Sequence, residues 1–431
     1  MARKEPIGRS CPGCARRKTG ADGAAPLGPA SIQSKLENDL RFSSFVDRIA
    51  GEGAEAWKIH DAARQAKARG EDILMLSIGD PDFATPTPIC DAAIAAIRAG
   101  DTHYTDMAGR ERLRDGIVRR HNLLSGLNFD ADNVLILSGA QCALFSTALC
   151  IAGAGEEVII LDPAYVTYEA VVRASGARLV RVAQPAETGF RPDFAAIEAA
   201  ITGQTRAMLI TNPNNPTGVV MTQAELEGIA DIARRHDLWV VSDEVYGDLV
   251  FEGRHHAIAG LPGMAERTVT VGSLSKSHAM TGWRVGWAIG PKPLMTHLDN
   301  LALAMLYGSP GFIQEAAIAA IDAGESVVAD MRDTYRRRRD RAIEALSGVQ
   351  GLRCAIPQSG MFLMADIRGL GITSSAFAWG LLREQGVSVL DASPFGACAQ
   401  GHIRMSFTLS EAQTSEACRR IAAYAQALET V

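Results

Sequence analysis

From about residue 41 onward, short apolar runs alternate with stretches of helical spacing. Ile73-Leu-Met-Leu-Ser-Ile78, Val134-Leu-Ile-Leu137, Val158-Ile-Ile-Leu161, Ala207-Met-Leu-Ile210, Trp239-Val-Val241, Val269-Thr-Val271 and Val285-Gly-Trp-Ala-Ile289 read as strands. Most lack period-two alternation, the pattern of strands buried on both faces. Between them lie helical segments, the first predicted over Glu55 to Ala68. The succession predicts an α/β fold with a mostly parallel sheet sandwiched by helices. Around 311–347 the pattern becomes one or two long helices, and the run Arg336 to Arg339 reads as a solvated helix face. Beyond residue 350, Phe362-Leu-Met364, Val387-Ser-Val389 and Ile403-Arg-Met-Ser-Phe407 stand among helices, an α+β pattern that predicts a smaller second domain. No internal repeat is evident.

Residues 1–40 carry no periodic apolar pattern and are read as a flexible extension. Within them, Cys11-Pro-Gly-Cys14 has the spacing of a metal or redox pair, but no second pair follows nearby, so it is read as part of a solvated tail. The chain has 431 residues, 47% of them hydrophobic, which excludes a disordered protein and allows two or three domains. The net charge of -6 argues against non-specific nucleic-acid binding. No apolar run approaches the ~20 residues a membrane helix needs. Eight scattered cysteines and a start without an apolar signal core predict a cytoplasmic protein with buried thiols.

Ligands of a parallel sheet gather beyond the carboxyl ends of its strands. Four such ends here carry polar residues: Ser138-Gly-Ala-Gln141, Asn212-Pro-Asn-Asn-Pro-Thr-Gly218, Asp243-Glu-Val-Tyr246 and Ser273-Leu-Ser-Lys-Ser277. Together they supply an Asn, an Asp, a Tyr and a Lys to one predicted pocket. Lys276 sits among small hydroxyl residues, which suits a lysine reaching a phosphorylated ligand. Lysine amines form Schiff bases with carbonyl cofactors once their pKa is depressed.

With Gly79-Asp-Pro-Asp-Phe-Ala-Thr-Pro86, Asn214-Asn-Pro-Thr-Gly218, Ser242-Asp-Glu-Val-Tyr246, Ser273-Leu-Ser-Lys276 and Gly282-Trp-Arg-Val-Gly286 in that order, the chain resembles the fold-type I pyridoxal-phosphate aminotransferases of class I/II. The resemblance runs from about residue 41 to the end. It implies an aspartate-aminotransferase-like large domain over 81–320 that binds pyridoxal 5'-phosphate. It also implies an N-terminal arm over 41–80 and a C-terminal segment over 321–431 that form the smaller domain. Lys276 would carry the cofactor and move the proton. Asp243 would pair with the pyridine nitrogen, while Tyr246 and Asn215 would bond its 3′-oxygen. Gly139, Ala140 and Gln141 at a helix start, with Ser273 and Arg284, would hold the phosphate. Tyr165 would stack on the ring, and Tyr104 would reach the phosphate of a partner subunit, implying a homodimer with shared sites. Arg404, the N–H of Gly79 and Asn215 would receive the substrate. The resemblance gives His278 no role, and it is read as a packing or surface histidine.

The implied reaction is ping-pong transfer of an α-amino group from an L-amino acid to a 2-oxo acid. Relatives that take dicarboxylic substrates place a cation at the position of Gln141 or within 301–310, and this chain has none there. Phe45–Trp57, Gly139–Leu144, Ser275–Trp283 and Met305–Pro310 resemble family members that move the amino group of L-arginine to pyruvate. Glu52 and Trp57 are candidates to meet a guanidinium side chain, ordinary helix-face positions being the alternative for both. A broad aminotransferase for neutral, aromatic or basic amino acids stays open, as do a lyase or decarboxylase with the same cofactor and a non-catalytic regulator.

Overall fold

The structure, a computed structural model, describes residues 42–50 and 53–429. The pair Cys11 and Cys14, the extension over 1–40 and Glu52 lie outside the described residues. Phe45–Val431 is one compact unit.

Its centre is a seven-stranded sheet. In chain order the strands are β1 (Val134–Leu137), β2 (Glu157–Asp162), β3 (Arg178–Ala183), β4 (Thr205–Thr211), β5 (Trp239–Asp243), β6 (Thr268–Ser273) and β7 (Gly286–Ile289). Across the sheet they lie in the order β1-β7-β6-β5-β4-β2-β3, with β7 antiparallel to both of its neighbours and the rest parallel. The apolar runs are continuous because both faces are covered. Val158 and Ile160 of β2 pack on one side against α1 (Ala140–Ile151) and its neighbours. Ile159 and Leu161 pack on the other side with Ile229, Ile232 and Ala233 of α2 (Gln223–Arg235). That helix opens on a capping box, in which Thr222 accepts from the Glu225 N–H and Glu225 reaches back to Thr222.

A four-stranded antiparallel sheet follows: β8 (Arg353–Cys354), β9 (Phe362–Asp366), β10 (Leu390–Asp391) and β11 (His402–Ser406), ordered β10-β11-β9-β8. In β11, Arg404 lies opposite Met364 of β9 and Leu390 of β10.

The structure corrects several expectations. Only Leu74–Met75 of the run 73–78 is ladder, paired in parallel with Val387–Ser388. Of the predicted strand 387–389 only Val387–Ser388 is ladder, joining Leu74–Met75, and the pair just beyond it, Leu390–Asp391, forms β10 of the other sheet. Strand β3 had no counterpart in the sequence reading. It is an edge strand in which the exposed Arg178 and Arg181 interrupt Leu179, Val180 and Val182, so it lacks the apolar run of its neighbours.

The solvated face expected for Arg336 to Arg339 is half right. These residues lie on a helix over Glu325–Leu346, where Arg338 and Arg339 turn inward and are 6% and 4% exposed. Arg338 donates to both oxygens of Asp82, at 2.8 and 2.9 Å, and lies over the rings of Phe83 and Tyr335. Four consecutive residues spread over about 300° of the helix at 3.6 residues per turn, so one charge run cannot stay on one face.

Removing the carboxylate of this pair leaves a buried guanidinium without a counter-ion. Asp82→Ala is expected to lose about 2 kcal/mol, less than a fully buried pair because Asp82 is partly exposed. Urea unfolding of the two proteins measures it.

Candidate active site

The parallel strands end beside one cavity of about 450 Å³, and the small sheet contributes its opposite wall. Strand β5 delivers Asp243, β6 delivers Ser273 and leads to Ser275 and Lys276, and the turn after β4 delivers Asn215. That turn is held by Asn214, whose Oδ1 accepts from the Thr217 N–H at 3.1 Å and from the Thr217 hydroxyl at 2.8 Å. Ala140 and Gln141 open α1 on the cavity wall. Arg404 enters from β11, with Phe362 from β9 beside it. Gly79, Tyr165, Tyr246 and Arg284 also line this wall, while Gly139 lies just behind it as the residue capping α1.

Asp243 is buried beneath the cavity. Its Oδ2 accepts from the Tyr168 hydroxyl at 2.7 Å, and its Oδ1 accepts from the Val245 N–H at 3.3 Å. Burial pushes its pKa up to about 6 against the pull of the Tyr168 bond. Lys276 Nζ donates to the Gly79 carbonyl at 2.8 Å. Burial brings the Lys276 amine down to about 8, opposed by Asp80 and assisted by Arg404 and Arg284. Asn215 Nδ2 donates to the Tyr246 hydroxyl at 3.3 Å, so the two residues expected to share one ring oxygen do converge. Burial holds the Tyr246 phenol well above its ordinary pKa.

Arg404 is 1% exposed. Its Nη1 donates to Asn215 Oδ1 at 3.2 Å and its Nη2 to the Ser77 carbonyl at 3.0 Å, while Nε has no partner. The guanidinium carbon lies 4.1 Å from the centre of the Phe362 ring and 4.8 Å from that of Phe395. Burial brings the pKa of Arg404 down to about 10.

At the other end, Arg284 adopts the left-handed backbone, φ 56°. It donates to the carbonyls of Thr281 and Ser138, at 2.8 and 3.3 Å. Gly139 caps α1 at φ 84°, and a Cβ there would come within 2.4 Å of the Arg284 guanidinium. The backbone angle calls for glycine, and a side chain there would also displace the Arg284 guanidinium. Ser273 Oγ lies 2.8 Å from Ser275 Oγ and accepts from the Ser275 N–H at 3.0 Å.

Of the predicted residues, only Tyr104 stands clearly apart. It is 82% exposed, packs on Tyr307 and does not line the cavity. Trp57, uncertain from sequence, is on the cavity wall. His278 is fully buried and bonded to Ser277, a packing histidine. Tyr168, Phe362, Ser275, Asp80 and Thr281 were not anticipated. Tyr168 had a detectable signal, since it lies one helical turn beyond Tyr165. Phe362 did not, because nothing local distinguishes it from any other strand aromatic.

The donor set fits pyridoxal phosphate. Among the described residues, Asp243, Arg284 and Arg404 form no ion pair, although two are buried and all three line one cavity. An anion beneath the cavity suits a cationic ring nitrogen. A helix start with a guanidinium suits a phosphate, and a lysine of lowered pKa suits an aldehyde.

The chain belongs to the class I and II aminotransferases, whose family profile matches residues 71–421. It is a pyridoxal-phosphate-dependent transaminase with the aspartate aminotransferase fold. The arginine–pyruvate transaminase AruH of Pseudomonas aeruginosa is 52% identical over 383 residues, 89% of this chain and 98% of that protein. The aspartate/prephenate aminotransferase of Thermus thermophilus is 34% identical, over 84% of this chain and 94% of that protein. Among solved structures, the aspartate aminotransferase of Thermus thermophilus with maleate superposes with a TM-score of 0.85 at 32% identity, covering 89% of this chain and all (100%) of that one.

The raised pKa of Asp243 has a sign that can be tested without cofactor. The native state holds its proton more tightly than the unfolded chain does. The penalty is therefore absent below the unfolded pKa of 3.8, grows from there to about 6, and is complete above it. Two pKa units correspond to about 3 kcal/mol. Cofactor-free Asp243→Asn is expected to melt above cofactor-free wild type at pH 8 and to lose that advantage near pH 4. Calorimetry across this range measures it.

Proposed function

We propose that this enzyme transfers the α-amino group of L-arginine to pyruvate by a ping-pong mechanism. The observation that carries the reading is that the cations lining the cavity are Lys276, Arg284 and Arg404, and each already has a task. None remains for the second carboxylate of a dicarboxylic donor, and the stretch Leu301 to Pro310 adds none. Trp57 offers an aromatic face to a guanidinium. The identity with a relative named for arginine and pyruvate supports the same choice. Pyruvate, whose side chain is a methyl, makes no demand on that wall.

In this reading Lys276 carries the cofactor and moves the proton at the substrate Cα, and its lowered pKa leaves a share of the amine neutral for that work. Asp243, oriented by Tyr168, keeps the proton on the ring nitrogen. Bound pyridoxal phosphate then supplies an electron sink that lets the Cα–H bond of an amino acid ionise. Tyr246 and Asn215 serve the ring oxygen, and Tyr165 covers the ring. Gly139, Ala140, Gln141, Ser273 and Arg284 hold the phosphate. Arg404, with Asn215 and the N–H of Gly79, receives the α-carboxylate of either substrate.

Tyr104, exposed on one chain, completes the phosphate site of a second copy, so the working unit is a homodimer. Residues 41–80 and 321–431 act as one smaller domain beside the 81–320 cofactor domain. The enzyme works in the cytoplasm. The described cysteines are all free, which supports a reducing location.

A broad donor range is the second reading, favoured by the apolar wall of Ile78 and Leu144. Single-turnover rates with twenty amino acids decide between them: arginine is expected to be fastest, and parity with alanine or phenylalanine would establish the broad reading. Lys276→Ala is expected to lose transamination by about 10³-fold or more. Retained activity would refute the assignment of that lysine. Active protein that sediments as a monomer would refute the shared site.

A further inference from the structure

We propose that Glu244 and His255 are positioning residues for the transfer reaction, holding from the opposite face of the sheet the turn that brings Tyr246 to the cofactor. The inference rests on the role given to Tyr246 above, and it does not depend on which amino acid is the donor.

A second cavity, of about 220 Å³, lies back to back with the first. Side chains alternate across a strand, so Thr270 and Gly272 of β6 face away from Val269 and Val271, which pack with Leu144 and Tyr168 on the cofactor side. Thr270 and Gly272 line the second cavity, while Val245 and Ser273 line both. The same division separates two adjacent carboxylates: Asp243 lines the first cavity and Glu244 the second.

Glu244 is fixed at both oxygens. Its Oε1 accepts from the Ser242 hydroxyl at 2.9 Å, and its Oε2 accepts from His255 Nε2 at 3.0 Å. The Glu244 and His255 side chains are only 7% and 6% exposed, so water competes little for these bonds. The main chain is tied too. The Glu244 N–H donates to the Val271 carbonyl at 2.9 Å, and the Gly247 N–H donates to the Glu244 carbonyl at 2.9 Å. A Cβ on Gly247 would come within 3.0 Å of the His255 ring, so the imidazole also lies against the end of the turn. Arg120 and His121, from the helix over Glu111–Ser125, and Asp248 are the other charged or titratable groups on this cavity. Arg120 pairs with Asp248, which leaves the Glu244 carboxylate to Ser242 and His255.

The anchor matters for Tyr246 more than for Asp243. Asp243 is the last ladder residue of β5, opposite Thr211 and Val271, and the sheet itself sets its position. Tyr246 lies three residues beyond the ladder. Its hydroxyl meets Asn215 at 3.3 Å, already at the long end for a hydrogen bond, so a small movement of the turn loses it. A group misplaced by about 1 Å at a reacting centre can cost about 100-fold in rate.

The test reads the absorbance of the holoenzyme against pH. A phenol that donates to the ring oxygen of bound pyridoxal phosphate stabilises that oxygen as an anion. Its displacement therefore raises the pH at which the bound cofactor gives up its proton and changes absorbance. Glu244→Ala and His255→Ala are each expected to raise that midpoint by about 0.5–1 pH unit. Glu244→Gln, which can keep a bond to each partner, is expected to show no upward shift. Tyr246→Phe is expected to raise the midpoint furthest. Ser242→Ala removes one bond alone and is expected to raise it by less; it carries the test if the other variants do not fold. A raised midpoint in Tyr246→Phe with none in Glu244→Ala, or none in Ser242→Ala where Glu244→Ala does not fold, overturns the positioning role and leaves Tyr246 in place. A Glu244→Ala that melts lower at an unchanged midpoint makes the pair a packing feature and overturns it equally. An unchanged midpoint in Tyr246→Phe overturns the role of Tyr246 and this inference with it.

Discussion

A guanidinium and a carboxylate buried on one cavity, without ion-pair partners among the described residues, are the condition on which this molecule is organised. Burying an unpaired charge costs several kcal/mol even after relaxation. The fold reduces that cost for Arg404 with a carbonyl, a side-chain amide and two aromatic faces, and for Asp243 with a phenol and a backbone N–H. Neither set supplies the opposite charge. Both pKa values move toward the neutral form as a result, and ligands that bring the missing charges remove the penalty. The desolvation of these groups is accomplished in folding, so it is not charged again to binding.

The architecture follows from the need to bring such groups together. A parallel sheet with both faces covered turns its strand ends toward one crevice. Three neighbouring strands, β4, β5 and β6, lead to Asn215, Asp243 and Lys276. Arg404 comes from a different sheet, where a rigid antiparallel ladder sets its position. Asn215 joins the two sheets chemically, bonding Tyr246 on one side and Arg404 on the other.

Much of this was legible in the chain, for reasons that differ by element. The interior strands announced themselves as continuous apolar runs because they are buried on both faces. Strand β3 did not, since an edge carries charges on its open side. Lys276, Asp243 and Asn215 stood out because each follows a strand in a polar cluster. Phe362 did not, because its contact with Arg404 is made across neighbouring strands of the small sheet, and Tyr168 was marked only by its spacing from Tyr165, since its bond to Asp243 spans 75 residues. The inward turn of Arg338 and Arg339 was equally hidden, since composition alone does not locate a helix face. Trp57 and Asp80 are intermediate: both sit in recognisable stretches, but only the fold places them on the cavity wall.

The register of β11 between β9 and β10 has a further meaning. With Arg404 in the role proposed above, its ladder position beside two rings would give every substrate one fixed origin from which it is measured. The amino group to be transferred then falls at a constant place beside Lys276, whatever the side chain is. Chemistry and selectivity are therefore separable along a single line, with the near end common to all substrates and the far end free to diverge. A family built on such a gauge can change its diet by altering a few residues at the open end of the cavity, while the costly buried charges at the other end remain untouched.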